Sequence, residues 1–181
     1  MEPQVYQFKI SLAGIQPLIW RRFRVHSNVT FRQLHNIVQI VMGWENYHLY
    51  QFFWNYNRFT EQLMGADDKR ASHVLGEFVT QPGSILGYEY DFGDSWHHEL
   101  LLEKVLTTTR KPCPLCTHGR RACPPEDCGG VWGYMELVRA MKAKRGSAYR
   151  EYKEWLGGYF DADAFDLADV NEQLAEVKLW Q

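Results

Sequence analysis

The 181-residue chain lacks any apolar run of the roughly eighteen residues that a membrane-crossing helix needs. It also lacks a large charge excess. Twenty Lys and Arg stand against 22 Asp and Glu, a formal charge of -2, so bulk attraction to a polyanion is not its organising feature. The balance is uneven along the chain. Residues 1–60 carry six basic and two acidic residues (+4), and residues 61–181 carry fourteen and twenty (-6), which leaves room for one basic face beside an ordinary mixed surface. Met1 to Ser11 has neither a basic leader segment nor an apolar core, and the expectation is a cytoplasmic protein. No glycine-rich phosphate loop, H-E-x-x-H helix or nucleophile elbow is present, and no internal repeat or low-complexity tract. There are only four cysteines, and all fall within sixteen residues, whereas a disulfide framework usually spreads its crosslinks along the chain.

What is present is an unusual aromatic content, 15%, with seven Trp, ten Tyr and ten Phe. Tyr6, Phe8, Ile10 and Leu12 alternate with polar residues, the period of a half-buried strand over 5–13. A second strand over 19–25 turns Ile19, Phe23 and Val25 inward and places Trp20, Arg22 and Arg24 on the opposite face. Thr30 and Gln33 have capping-box spacing before the apolar stripe Phe31, Leu34, Ile37, Val38 and Val41, and Gly43 is placed to end that helix. Strands are expected over 49–56, 86–92 and 97–106, the last two forming a hairpin around Gly93-Asp94. Residues 57–72 read as loop, with a short element over 74–78. Apolar residues on both faces of 97–106 point to a central strand. Helices follow over 131–141, over 149–156, and from Asp166 onward. This order defines one α+β domain over 1–181, with a mainly antiparallel sheet, at least three helices and an irregular cysteine loop over 107–130.

Two segments carry chemistry. In the first, Cys113 and Cys116 have C-x-x-C spacing and Cys123 and Cys128 follow. Four thiolates suit a closed tetrahedral Zn²⁺ that would staple the loop, with Gly119, Gly129 and Gly130 relieving its turns. Reduced unliganded thiols, local disulfides or a redox pair are the alternatives, and His118 could stand in for one sulfur. In the second, Asp91, Asp94, His97, His98 and Glu99 sit together in a turn rich in aromatics. They could hold a metal-dependent hydrolase or nuclease site, brace the turn through backbone N–H groups, or form a binding surface. Glu126 and Asp127 are placed to cap the following helix or to pair with Arg21, Arg22 or Arg121. Trp20, Arg22 and Arg24 could contact nucleic acid.

Several strings together resemble one family: Ile19-Trp-Arg-Arg22, Met42-Gly-Trp44, Tyr88-Glu-Tyr-Asp-Phe-Gly-Asp-Ser-Trp96 with His98, Ala122-Cys-Pro-Pro-Glu-Asp-Cys-Gly-Gly130 with Trp132-Gly-Tyr134, Phe165-Asp-Leu167, and Val170-Asn171. The chain resembles the plasmid Ri ORF-three-like family, whose members are sometimes labelled transposon passenger proteins, from about residue 4 to residue 175. The resemblance supplies no catalytic residues. It implies cysteines at Cys116, Cys123 and Cys128 more regularly than at Cys113. The leading expectation is a non-enzymatic binding or accessory module with a structural zinc. Its binding surface would use Trp20, Arg22, Arg24, Trp44, Asp91, Asp94, Trp96, His98 and Trp132. A metal-dependent hydrolase or nuclease and a nucleic-acid-binding protein are the alternatives, and a homodimer is compatible with the sequence.

Overall fold

In the computed structural model, residues 4–61, 68–107 and 114–177 are described. Eight strands form one sheet in the order β5-β4-β3-β6-β7-β1-β2-β8. They are β1 Val5–Leu12, β2 Trp20–His26, β3 Tyr50–Trp54, β4 Asn57–Thr60, β5 Asp68–Arg70, β6 Ile85–Tyr90, β7 Trp96–Leu106 and β8 Leu115–Arg120. Every neighbouring pair is antiparallel except β4 and β5, which run parallel. Four helices accompany the sheet: α1 Phe31–Met42, α2 Gly130–Ala143, α3 Ser147–Trp155 and α4 Leu167–Glu176. This is the expected α+β architecture, with a mainly antiparallel sheet. Among the described residues no helix is long and apolar enough to cross a membrane.

The period-two pattern is realised in the register. Phe8 lies opposite Phe23 on one side and Leu102 on the other, so the inward positions of β1, β2 and β7 form one continuous apolar surface. Fully burying a side chain of this size contributes roughly 1.5–3 kcal/mol. Strand β7 is central, between β6 and β1, which accounts for its apolar residues on both faces.

Helix α1 closes over the other half of the sheet. Phe31 stacks on Phe59 at 3.8 Å and tilts against Phe52. Its N-terminus has the expected capping box: Thr30 Oγ1 accepts from Gln33 N–H, and Gln33 Oε1 accepts from Thr30 N–H. Gly43 ends the helix in the left-handed conformation, φ 104°.

Two stretches expected to be irregular contain strands. Residues 57–72 hold β4 and β5, and the cysteine loop holds β8. Strand β8 lies at the sheet edge beside β2, with polar Thr117, His118 and Arg120 in place of an apolar alternation. Gly119 is a strand residue, not a turn. A Cβ there would come within 2.6 Å of Arg21 Cδ and 2.5 Å of Phe165 Cζ, so its bareness admits a buried arginine and a phenyl ring. The short element over 74–78 is a 3₁₀ turn, Leu75–Glu77.

The cap gives a direct test. Thr30→Ala should lower unfolding stability by about 1 kcal/mol, read as a reduced urea midpoint at unchanged slope.

Candidate metal centre

The site is assembled from the loop after α1, the end of β6 and the segment before α2. The first is positioned by polar groups of α1 itself. Gln39 Oε1 accepts from Asn46 N–H at 2.8 Å, and Asn46 Oδ1 accepts from His35 Nε2 at 2.7 Å. Tyr88 Oη lies 2.8 Å from both His35 Nδ1 and Gln39 Nε2. The imidazole of His35 also stacks on Tyr50 at 3.5 Å. This fixes the loop that presents His48.

Asp91 follows β6 in a left-handed conformation, φ 56°, and its N–H donates to Leu49 O at 3.0 Å. Its Oδ1 accepts from Gly93 N–H at 2.9 Å, the expected bracing of the turn. Asp94 braces at longer range: its Oδ2 accepts from Gly129 N–H at 3.1 Å and so ties the β6–β7 turn to the start of α2. Gly129 and Gly130 both have positive φ there, and a Cβ on Gly130 would meet Asp94 O at 2.8 Å.

These turns bring His48, Asp91 and Asp127 together. One ligand atom from each lies within 4.8 Å of the other two, and among the described residues no other trio of His, Cys, Asp or Glu does so. His48 Nε2 is 3.2 Å from Asp127 Oδ1 and 3.8 Å from Glu126 Oε2, and His48 Nδ1 is 3.7 Å from Asp91 Oδ1. The cluster is therefore capable of coordinating a metal ion. Glu126 stands beside it with a side chain only 9% exposed. Its Oε1 accepts from Glu45 N–H at 2.8 Å and from Tyr90 Oη at 2.9 Å, while its Oε2 and His48 Nε2 are buried without a hydrogen-bond partner. Burial raises the Glu126 carboxyl above its ordinary value. Asn46, Asp91 and Asp127 all have left-handed backbones, φ 60°, 56° and 55°, a concentration of unfavourable conformations typical of functional sites.

Several sequence expectations are corrected. Asp91 does not converge with His98. His98 is buried on the inward face of β7, where its Nε2 accepts from Trp44 Nε1 at 3.2 Å, while His97 points out and lies near Glu89. Glu126 and Asp127 do not pair with arginine. Arg21 bonds carbonyls, Arg22 is clamped by Glu103 at 2.6 and 2.8 Å, and Arg121 pairs with Asp163. Nor does either cap α2, whose N-cap Gly129 has no side-chain bond.

The named indoles occupy three settings rather than one groove. Trp44 and Trp96 are buried against each other at 5.4 Å, Trp20 lies on the outward sheet face beneath Lys9 and Arg22, and Trp132 is 80% exposed on α2. Arg24 Nε donates to Gln7 Oε1 at 3.1 Å. Cys113 lies outside the described residues. Cys116, Cys123 and Cys128 form no disulfide among the described residues, and burial pushes Cys116 up to about 11, Cys128 up to about 12 and Cys123 well above its ordinary value. His48 escaped the sequence reading because it is a lone histidine 43 residues from Asp91 (91 less 48). The only signal was the density of carboxylates at 91–94 and 126–127.

The chain belongs to the plasmid pRiA4b ORF-3-like protein family, whose model matches residues 4–169. It is similar to the uncharacterized protein y4hQ of Sinorhizobium fredii (strain NBRC 101917 / NGR234), with 30% identity over 182 residues covering 98% of this chain and 94% of that one. It is also similar to the crystal structure of a protein of unknown function, MM3350 from Methanosarcina mazei Go1. That match has a TM-score of 0.85 and 37% identity, and covers 93% of this chain and 98% of the other.

The two buried histidines beneath the site set a pH limit. Burial lowers His35 to about 4 and His98 to about 3, against about 6.5 in an unfolded chain. Their contribution is complete above the unfolded value and is lost as pH falls toward the folded ones. The slope should reach about 1.4 kcal/mol per pH unit for each histidine inside its window. Urea midpoints measured from pH 7 to pH 4 should fall, and fall less steeply in His98→Gln.

Proposed function

We propose that this protein is a divalent-metal-binding module whose centre is His48, Asp91 and Asp127, with Glu126 alongside. The observation that carries the reading is the convergence of three ligand residues from separate segments around His48 Nε2 and Glu126 Oε2, two buried atoms 3.8 Å apart that make no hydrogen bond. A buried polar atom without a partner is costly, and a cation between these groups would satisfy both. One imidazole with carboxylates favours Mn²⁺, Fe²⁺ or Zn²⁺ over the hard, all-oxygen preference of Ca²⁺. Tyr90 and the Glu45 N–H would orient Glu126 as supporting groups orient metal ligands elsewhere.

A second reading is supported by Asp127, whose side chain is 68% exposed. The cluster reaches solvent on that side, where a metal-activated water would act in a hydrolase. Nucleic-acid binding is less well supported, because Arg22 and Arg24 already engage Glu103 and Gln7.

Calorimetric titration with Mn²⁺ and with Zn²⁺ tests the centre. About one ion per chain is expected, with His48→Ala, Asp91→Asn and Asp127→Asn each weakening it more than about tenfold. Wild-type affinity in a His48→Ala/Asp127→Asn protein would remove the reading. Zinc binding lost instead in Cys116→Ser/Cys128→Ser would place the metal on the cysteines. Metal-dependent cleavage of bis(p-nitrophenyl) phosphate, absent in Asp127→Asn, separates hydrolase from binding module.

A further inference from the structure

A cavity of about 260 Å³ lies between α2 and the loop joining β1 to β2, and it shares no lining residue with the acid cluster. Its lining divides into two kinds. Ile15 and Val138 contribute apolar surface, and Arg121, Arg139 and Lys142 contribute three cations, with no Asp or Glu among the lining residues. Lys142 stands four residues from Val138 and three from Arg139 along α2, so it neighbours both and brings the hydrocarbon and the charge to one side of the helix.

The cavity's inner end is polar and incompletely satisfied. Arg121 has a left-handed backbone, φ 72°, and its side chain is only 9% exposed. Its Nη1 bonds Asp163, but its Nε is buried without a partner. Tyr134, 2% exposed, places its Oη against that guanidinium, which offsets part of the effect of burial on the phenol. At the outer end Arg139 and Lys142 are exposed and have no ion pair or hydrogen bond among the described residues. Asp163 offsets one of the three cations, and neither of the other two is paired among the described residues.

We propose that this cavity binds a small carboxylate carrying a hydrocarbon body. Ile15 and Val138 cover the body. Arg139 and Lys142 hold the carboxylate, and the Arg121 guanidinium adds positive charge behind them. Acetate has too little apolar surface to use the walls, and an organic ammonium ion meets three cations. The inference is independent of the metal centre.

Calorimetry on the intact chain, with hexanoate as the probe and acetate and hexylammonium as controls, tests it. Hexanoate should bind, with acetate and hexylammonium each at least about tenfold weaker. Arg139→Glu/Lys142→Glu changes only exposed side chains and should weaken hexanoate at least about tenfold. Circular dichroism verifies its fold, and Val138→Asp is the second variant, removing apolar wall and adding like charge. The proposal is overturned by no binding at millimolar hexanoate, by acetate or hexylammonium binding as tightly, or by unchanged hexanoate affinity in both variants.

Discussion

The Arg21 guanidinium ties the structure together. It is buried, has no carboxylate partner among the described residues, and is held by four main-chain carbonyls. Nε donates to Val41 O at 2.7 Å, Nη2 to Met42 O at 3.2 Å, and Nη1 to Trp20 O and Arg120 O at 2.9 Å each. Two of these belong to the last turn of α1, where unsatisfied carbonyls and the helix dipole both favour a cation. A buried charge is tolerated when its donors are satisfied, and here one side chain joins β2, the end of α1 and the end of β8. Phe165 covers its outer face at 4.2 Å, which draws the segment before α4 into the same junction.

The metal-ligand cluster inherits its order from that junction. The loop bearing His48 leaves α1 just past Met42, so fixing the helix end fixes the loop's origin. Gln39 and His35 then orient its next residues from the side. Asp91 and Asp127 arrive on turns whose backbones are left-handed, and Asp94 links one turn to the other. Asp91, Asp94 and Glu126 are thus held by bonds from main-chain N–H donors and a tyrosine hydroxyl, leaving His48 Nε2 and Glu126 Oε2 without a hydrogen bond at the centre.

The legibility of the fold follows from where its determinants lie. The capping box of α1, its apolar stripe and its terminal glycine are local, and the helix has the expected bounds. The alternations of β1, β2, β6 and β7 are equally local, because one face of each strand is buried. Strand β8 was unreadable because only Cys116 of its six residues is buried and its pairing is supplied by β2. Gly119 carried the opposite of its apparent message: its lack of a side chain makes room for Arg21 and Phe165, not for a metal-binding turn. Asp91 and Asp94 were legible as turn-bracing acids, and the family resemblance brought out their neighbourhood. That Asp91 meets His48 and Asp127 is a fact of tertiary structure, and no spacing rule joins those positions. Arg21 shows the same limit, since strand period alone sends it inward and says nothing about which carbonyls receive it.

The sheet order bears on how the chain is made. The β1–β2 hairpin is adjacent in sequence, yet β1 finds its other neighbour only in β7, where Val5 faces Leu106 and Phe8 faces Leu102. Helix α1 and all of β3 to β6 are synthesised in between. At ribosomal speeds of about 5–20 residues per second, the hairpin waits on the order of ten seconds with its β1 edge unpaired. Protection of the β1 edge therefore falls to a late strand, and a chain that ends before β7 leaves that edge open.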